Sequence, residues 1–533
     1  MSIEGIEGKP GPISRRAFLG LGGASAAALL LSGSPLAVLG AKTAKGAPPS
    51  AAVGYGPLVP KGDLALPAEF NYQVVDRELT PMRDGKPTPG IFDAMGAYPD
   101  TGGGIHGDGD RTILIRNHEN RERAGEIKVV TGPAFEYDES AFGGNTKLVV
   151  EREKTGESDP QSGQELYEYT VVDKFAILGG TSTNCAGGEL PFKKWMTCEE
   201  VVKRQPNGKK HGYNFEIDAM ADGPVVAVPI PQMGRFAHEA TTWRSGILYQ
   251  TEDRSITPDP VTEKRLLGAC LYRYIPDQRV GQSDNFAETT GPLQAAKLKN
   301  EFHANMDTGR AVGVPYEVEW VTVDEPDHED DSDNRRDRVR GFTPTRVQAQ
   351  DKGACFFDRM EGMWANAQGG GFKVYFDCTT GGAQNLGQVW EYDPGRETLT
   401  LIFESTSPGR LENPDNVTIV PQTQDIFLCE DGDDDQFVRG VTQDGEIYDF
   451  AKTQTNDSEF CGACFSPDGQ TLFLNQQGDR QIVDESGQPS RSRGNPAVTY
   501  AIYGPFEKRA GANNKNFGTG QSSTGDGSDG SGN

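Results

Sequence analysis

Short runs of β-branched and aromatic residues, each closed by Gly, Pro, Asp or Asn, recur along this chain and restrict it to folds built from many short strands. They include 112–115, 147–150, 225–228, 247–249, 388–392, 399–403 and 425–428. The supply of turn formers, 67 Gly and 34 Pro in 533 residues, suits such a chain better than long helices. Two runs echo each other: Leu271-Tyr272-Arg273-Tyr274-Ile275-Pro276-Asp277 and Val389-Trp390-Glu391-Tyr392-Asp393-Pro394-Gly395. Phe465-Ser466-Pro467-Asp468-Gly469, followed by Leu472-Phe473-Leu474, reads as the turn and next strand of a propeller blade. The spacing is irregular, so the pattern predicts an all-β fold, a β-propeller with loop and short helical insertions. A stacked sandwich array is the alternative. A helical insertion is expected near 292–300. The run 324–340 is expected to be a charged loop, with Asp331-x-Asp333 as solvated surface rather than a calcium site.

The two ends differ from this body. Ser14-Arg15-Arg16-Ala17-Phe18-Leu19 stands before a Gly/Ala-rich apolar run that reaches Leu39. This is the layout of a twin-arginine export signal. The other reading is a retained anchor, but a spanning helix needs about 20 strongly apolar residues. Here Ser32, Ser34 and Pro35 interrupt the run. Residues 1–47 are therefore expected to be signal and leader, with cleavage between Gly40 and Ala47. The twin-arginine translocase is the implied partner during export. It carries folded proteins, often with a cofactor already loaded. The mature chain is expected in the periplasm or outside the cell, without stable membrane association. Residues 48–509 form the expected propeller domain, and 510–533 a disordered Gly/Ser-rich tail.

A net charge of −26 argues against nucleic acid as a partner, since phosphate backbones need clustered Lys and Arg. The same field would repel a small anionic substrate unless local cations reversed it. Solubility accounts for most of the acidity. Eight cysteines are too few for a disulfide scaffold in a chain this long. Cys461-x-x-Cys464 could serve as a zinc half-site or redox pair, but no second CxxC accompanies it. No heptad or large apolar stretch argues against a monomer.

Polar constellations sit beside the strand ends. They are Asn117-His118-Glu119, Thr197-Cys198-Glu199-Glu200, Gly234-Arg235-Phe236-Ala237-His238-Glu239, Thr251-Glu252-Asp253, Arg359-Met360-Glu361-Gly362, Asn413-Pro414-Asp415-Asn416 and Cys429-Glu430-Asp431-Gly432. A propeller would bring residues from successive blades around one central channel. Carboxylates gathered there cannot all ionise without cations. Hard cations such as calcium suit oxygen ligands, and a thiolate selects a softer or redox-active metal. His118 and His238 read as structural histidines, since no His-x-x-x-His spacing exists. The residues by themselves thus point to an exported β-rich protein that binds metal.

Asn184-Cys185-Ala186-Gly187-Gly188, then Trp195-Met196-Thr197-Cys198-Glu199-Glu200, Gly234-Arg235-Phe236-Ala237-His238-Glu239-Ala240 and Arg359-Met360-Glu361-Gly362 follow in an order that resembles the PhoX-type alkaline phosphatases. The likeness runs from about Gly54 to Pro505 and includes the twin-arginine signal. Met360 stands where the family pattern has Pro. The resemblance implies a six-bladed propeller with a buried iron–calcium centre that hydrolyses phosphate monoesters. On that resemblance Cys185 is the thiolate ligand to iron. Glu199 or Glu200, Glu239 and Glu361 ligate or bridge iron and calcium, and Asp253 and Asp415 hold calcium. Arg359 and Asn117 face the substrate phosphate. Phosphoryl transfer needs charge neutralisation and positioning, which such a site would supply. Two other readings stay open: a calcium-dependent propeller lactonase or phosphotriesterase-type hydrolase, which needs no thiolate, and a non-catalytic binding propeller.

Overall fold

Antiparallel strands, most of five to nine residues, account for nearly all regular structure in the computed structural model. It describes residues 53–511 except 101–109, 124, 282–283, 330–340, 369–370, 434, 480–481, 484–488 and 491–493. The signal and leader (1–47), all but the first two residues of the tail, and Asp331-x-Asp333 lie outside the described residues.

The longer strands fall into six antiparallel groups in chain order, the third and fourth joined through Pro315–Thr322 into one nine-stranded sheet. The first comprises Phe92–Pro99, Arg111–His118, Gly143–Ser158 and Glu165–Thr181. The second comprises Asn184–Leu190, Lys194–Glu199 and Asn214–Asp218. The third holds His238–Arg244, Ile247–Glu252, Tyr272–Tyr274 and Leu293–Leu298. The fourth holds Met360–Gln368, Gly371–Cys378, Gln388–Asp393 and Thr398–Glu404. The fifth holds Pro414–Ile419, Ile426–Glu430, Phe437–Val441 and Ile447–Thr453. The sixth begins with Phe460–Phe465, Thr471–Gln476 and Val498–Tyr503. The first strand of each unit packs on that of the next, and the sixth returns to the first, so six inner strands close a ring. This is the β-propeller arrangement, and it excludes the stacked sandwich array.

Closure joins the two ends of the chain. The early strand Asn71–Arg77 is the outer strand of the sixth unit, paired with Val498–Tyr503. Its Asp76 accepts from Arg116 Nη2 at 2.9 Å and Lys174 Nζ at 2.7 Å, both in the first unit. The seam between first and last units is thus tied by a buried charge cluster. Aromatic and aliphatic side chains such as Trp195, Phe376, Trp390 and Tyr392 fill the space between units.

Two local expectations are corrected. The segment 292–300 is not helical: Leu293–Leu298 is a strand held between Tyr272–Tyr274 and Pro315–Thr322. Leu293, Ala295 and Leu298 are buried there, and sheet burial outweighs the modest helix preference of Ala, Gln and Lys. The run 225–228 is extended but not a strand. Pro224 and Pro229 bound it, and its N–H groups go to separate loop and strand carbonyls, Val225 to Ile177 and Ala227 to Phe135. Among the described residues, an α-helix lies at Thr345–Asp351. No helix among the described residues is long and apolar enough to cross a membrane.

Candidate metal centre

The second residue of each inner strand forms one family of positions. These are Asp93, Cys185, Glu239, Glu361, Asp415 and Cys461. At that point all six ladders break. Pairing jumps from Phe92 to Met95, Asn184 to Gly187, His238 to Thr241, Met360 to Met363, Pro414 to Asn416 and Cys461 to Cys464. A bulge re-aims the residue it displaces, and sites built from strands use this device. The residues that follow are Ala94, Ala186, Ala240, Gly362, Asn416 and Gly462, five of them Ala or Gly, and all line one cavity. A Cβ on Gly362 would lie 2.5 Å from Val417 N and 2.8 Å from Asn416 Cα, so only Gly admits the neighbouring inner strand so closely.

Seven carboxylates and one thiol converge here in three groups, each with ligand atoms within 4.8 Å of one another: Asp93, Glu119 and Cys185; Cys185, Glu239 and Asp415; and Glu200, Asp253 and Glu361. Cys185 is shared by two groups. The structure therefore brings together Cys185, Glu200, Glu239, Asp253, Glu361 and Asp415 from the sequence reading, and adds Asp93 and Glu119.

Of the alternatives Glu199 and Glu200, only Glu200 is among them, and Glu199 is held by structural hydrogen bonds. Its Oε1 accepts from Ser182 N at 2.9 Å and meets His211 Nδ1 at 2.6 Å. Its Oε2 accepts from the N–H groups of Gly212 and Tyr213 at 2.8 and 3.2 Å. Strand alternation sends Glu199 and Glu200 opposite ways, and Glu200 enters the site. Asn117 is corrected to a structural role. Its Nδ2 donates to the carbonyls of Cys185 and Ala186 at 2.8 and 2.7 Å, and its Oδ1 accepts from Trp195 Nε1 and Asn145 Nδ2. With its amide saturated it fixes the Cys185 bulge rather than facing a substrate.

Arg359 stands at the mouth with a left-handed φ of 48°. Its Nε and Nη2 donate to Asp253 at 3.0 and 3.1 Å, and Nη2 forms an ion pair with Glu361 Oε1 at 2.7 Å. A second guanidinium, Arg121, bridges Glu119 and Glu200, the latter at 3.0 Å. The histidines stay structural. His118 lies between Gly90 O and Thr146 Oγ1, and His238 Nε2 lies 3.0 Å from Gly234 O. Burial pushes both imidazoles down to about 3. Cys461 and Cys464 are buried thiols outside the three groups, with Cys461 donating to Phe92 O at 3.1 Å.

The electrostatics of the ring ask for cations. Burial, then the nearby Asp415 charge, pushes Asp93 up to about 8. Burial and then Glu361 and Glu200 hold Glu239 well above the carboxylate range. Glu361 is raised by burial and by Asp253, against the pull of Arg359. Burial, with Asp93 and Glu239 beside it, raises the Cys185 thiol, which donates to Glu239 Oε1 at 3.2 Å. Both Asp93 oxygens and Glu239 Oε2 are buried without a hydrogen-bond partner, a costly state that a coordinated cation removes. A thiol amid carboxylates suits one thiophilic metal together with hard, oxygen-liking ones, so the donor set fits iron and calcium.

Of these residues, Glu119 stood in a motif already singled out, and the choice within it fell on Asn117. Asp93 had no flanking motif. Its signal is the shared plan of the inner strands, an acid or Cys in second place followed in five of the six by Ala or Gly, which becomes visible once the six are aligned by structure.

Comparison with known proteins agrees with this picture. The model of the alkaline phosphatase PhoX family matches residues 53–479. The structure of Pseudomonas fluorescens PhoX in complex with vanadate, a transition state analogue, has a TM-score of 0.57 at 15% identity, covering 85% of this chain and 98% of that one. At that identity it speaks for the fold alone. The WD40 β-propeller domain of Doa1 has a TM-score of 0.31 at 8% identity, over 81% of this chain and 97% of its own, too distant to carry an argument. No curated protein sequence matches. With a family match that spans most of its length and a propeller ring behind it, the chain belongs to the PhoX alkaline phosphatase family.

Proposed function

We propose that this chain is an exported phosphatase that hydrolyses phosphate monoesters and uses iron and calcium held in the inner ring. The observation that carries the reading is the shared thiol of Cys185 between two carboxylate groups, with a third, all-oxygen group beside them. Cys185 with Glu239, Asp415, Asp93 and Glu119 would hold iron, with calcium available to the oxygen atoms. Glu200, Asp253 and Glu361 would hold calcium. Bound there, the metals would supply positive charge against the phosphoryl oxygens.

The chain's own residues do the rest. Asp253 clamps the Arg359 guanidinium through two parallel N–H donors, which fixes its plane. That plane presents the remaining edge of Arg359 to the equatorial oxygens of the transferred group. Asn117 and Trp195 hold the Cys185 bulge in place. Metals bound there, with the arginines, would reverse the acidic field of the protein locally and admit an anionic ester. The P. fluorescens relative binds vanadate, a transition state analogue, as this reading requires of the present chain. Ser14-Arg15-Arg16-Ala17-Phe18-Leu19 supports export to the periplasm or beyond.

The test is p-nitrophenyl phosphate hydrolysis before and after chelation, with calcium and iron added back. Activity should fall with chelator and return with metal; undiminished turnover by a metal-free sample refutes the reading. Cys185→Ala separates it from a calcium-only lactonase, in which that change is harmless. A folded, metal-loaded chain that turns over no ester is a binding propeller.

A further inference from the structure

We propose that Arg121 is a second phosphate-binding arginine, set across the Glu200–Asp253–Glu361 group from Arg359, and that it selects dianionic phosphoryl groups. The inference rests on the phosphatase reading above. Arg359 touches Asp253 and Glu361, whereas Arg121 touches Glu200 of the same group and Glu119 of the neighbouring one. Both contacts of Arg121 run through Nη2. The two guanidiniums are the outermost members of the cluster. Their side chains are 15% and 24% exposed, against 1% for Glu119, 6% for Glu200 and 2% for Glu361.

The segment that carries Arg121 is built to hold it. Its N–H and that of Arg123 donate to Glu126 Oε2 at 2.6 and 3.0 Å. The Asn120 side chain donates to Ile127 O at 2.8 Å, and Thr183 N donates to Asn120 O at 2.9 Å. Cations bound to those carboxylates would take up their charge and leave both guanidiniums able to donate to an anion at the mouth. A guanidinium offers planar, paired donors that match phosphate oxygens. A monoester presents three non-bridging oxygens and two charges, which two arginines can divide. A diester presents two oxygens and one charge.

The test uses the full chain loaded with its metals, as wild type, Arg121→Lys and Arg121→Gln. Inorganic phosphate binding is read by calorimetry, metal content by elemental analysis, and KM with p-nitrophenyl phosphate against bis(p-nitrophenyl) phosphate. Loss of a charge-assisted hydrogen bond predicts that Arg121→Gln weakens phosphate binding by about 10- to 100-fold. KM for the monoester should rise by a similar factor while metal content holds, and the preference over the diester should shrink. Arg121→Lys should recover part of the loss. Unchanged phosphate affinity in Arg121→Gln overturns the proposal. So does a fall in metal content, which would make Arg121 only a counter-ion of the ligand set. A wild type that binds no phosphate and cleaves neither ester overturns the phosphatase reading itself, and the proposal with it.

Discussion

Asp76→Ala should cost this protein more stability than almost any other single change to a charged group. Asp76 comes from the strand that closes the ring, and its carboxylate is 4% exposed. It faces Arg116, whose side chain is fully buried, and Lys174, 6% exposed. Arg116 also donates to Thr499 Oγ1 at 2.9 Å and lies over the Phe92 ring at 3.5 Å, next to Asp93. Thr499 in turn donates to Asn475, which donates to Asp93 O at 2.6 Å. Removing one partner from a buried pair leaves an uncompensated charge and costs about 3–5 kcal/mol. Here two cations lose the same partner, so the upper part of that range is expected. Asp173→Ala is the control. Its partner Arg83 is 48% exposed, and exposed pairs contribute about 0–1 kcal/mol. Urea denaturation followed by tryptophan fluorescence measures both. Burial opposes ionisation of Asp76, but Arg116 and Lys174 outweigh it and hold the carboxyl below 3.8. A lowered pKa stabilises fully above the unfolded value and loses that contribution as pH falls through the folded one. Wild type and Asp76→Ala should therefore converge in stability only below pH 3.8. Equal losses for Asp76→Ala and Asp173→Ala at pH 7 would refute the reasoning.

Further outcomes follow from the same geometry. Gly362→Ala forces a Cβ within 2.5 Å of Val417 N, and overpacking of this kind costs about 1–3 kcal/mol; elemental analysis should also show lost metal, since Glu361 and Asp415 flank the contact. Chelation should lower the melting temperature measured by calorimetry, because a ligand present at 100 times its Kd stabilises by about 2.7 kcal/mol. On the proposed ligand set, Cys185→Ala should lower the metal content read by elemental analysis while leaving the far-ultraviolet dichroism of the propeller intact. Burial opposes charge on His211, yet Glu199 and Asp138 hold its pKa above 6.5. Its contribution is therefore complete below pH 6.5 and lost as pH rises through the folded value, so the stability gap to His211→Gln should narrow at alkaline pH.

The sequence made the fold class legible because a propeller repeats a local signal, short strands with turn formers between them. It misread 292–300 because Leu-Gln-Ala-Ala-Lys-Leu satisfies helix propensity and strand burial alike, and only the strands on either side decide. The site was legible where motif flanks were distinctive, as around Cys185, Glu239 and Glu361. It left Glu199 and Glu200 as alternatives, because adjacent identical residues point opposite ways and only the register says which is inside. Asn117 was misplaced for a related reason. A buried amide beside the site and an amide facing the substrate look alike in sequence, and the difference lies in the carbonyls of Cys185 and Ala186 that its Nδ2 meets.

Ring closure and metal loading belong to one physical problem in this molecule. Seven buried or half-buried carboxylates and a thiol face two guanidiniums, so the ring is strained by its own charge until cations arrive. Breaks in five inner-strand ladders hold Asp93, Cys185, Glu239, Glu361 and Asp415 in place. The closing strand Asn71–Arg77 contributes Asp76, whose charge cluster leads through Arg116, Thr499 and Asn475 to the backbone of Asp93. Metal binding therefore favours the closed ring, and the closed ring presents the ligands, a reciprocity required of linked equilibria. Asp76→Ala thus has a second expected readout besides stability, a lower metal affinity at a site to which Asp76 contributes no ligand.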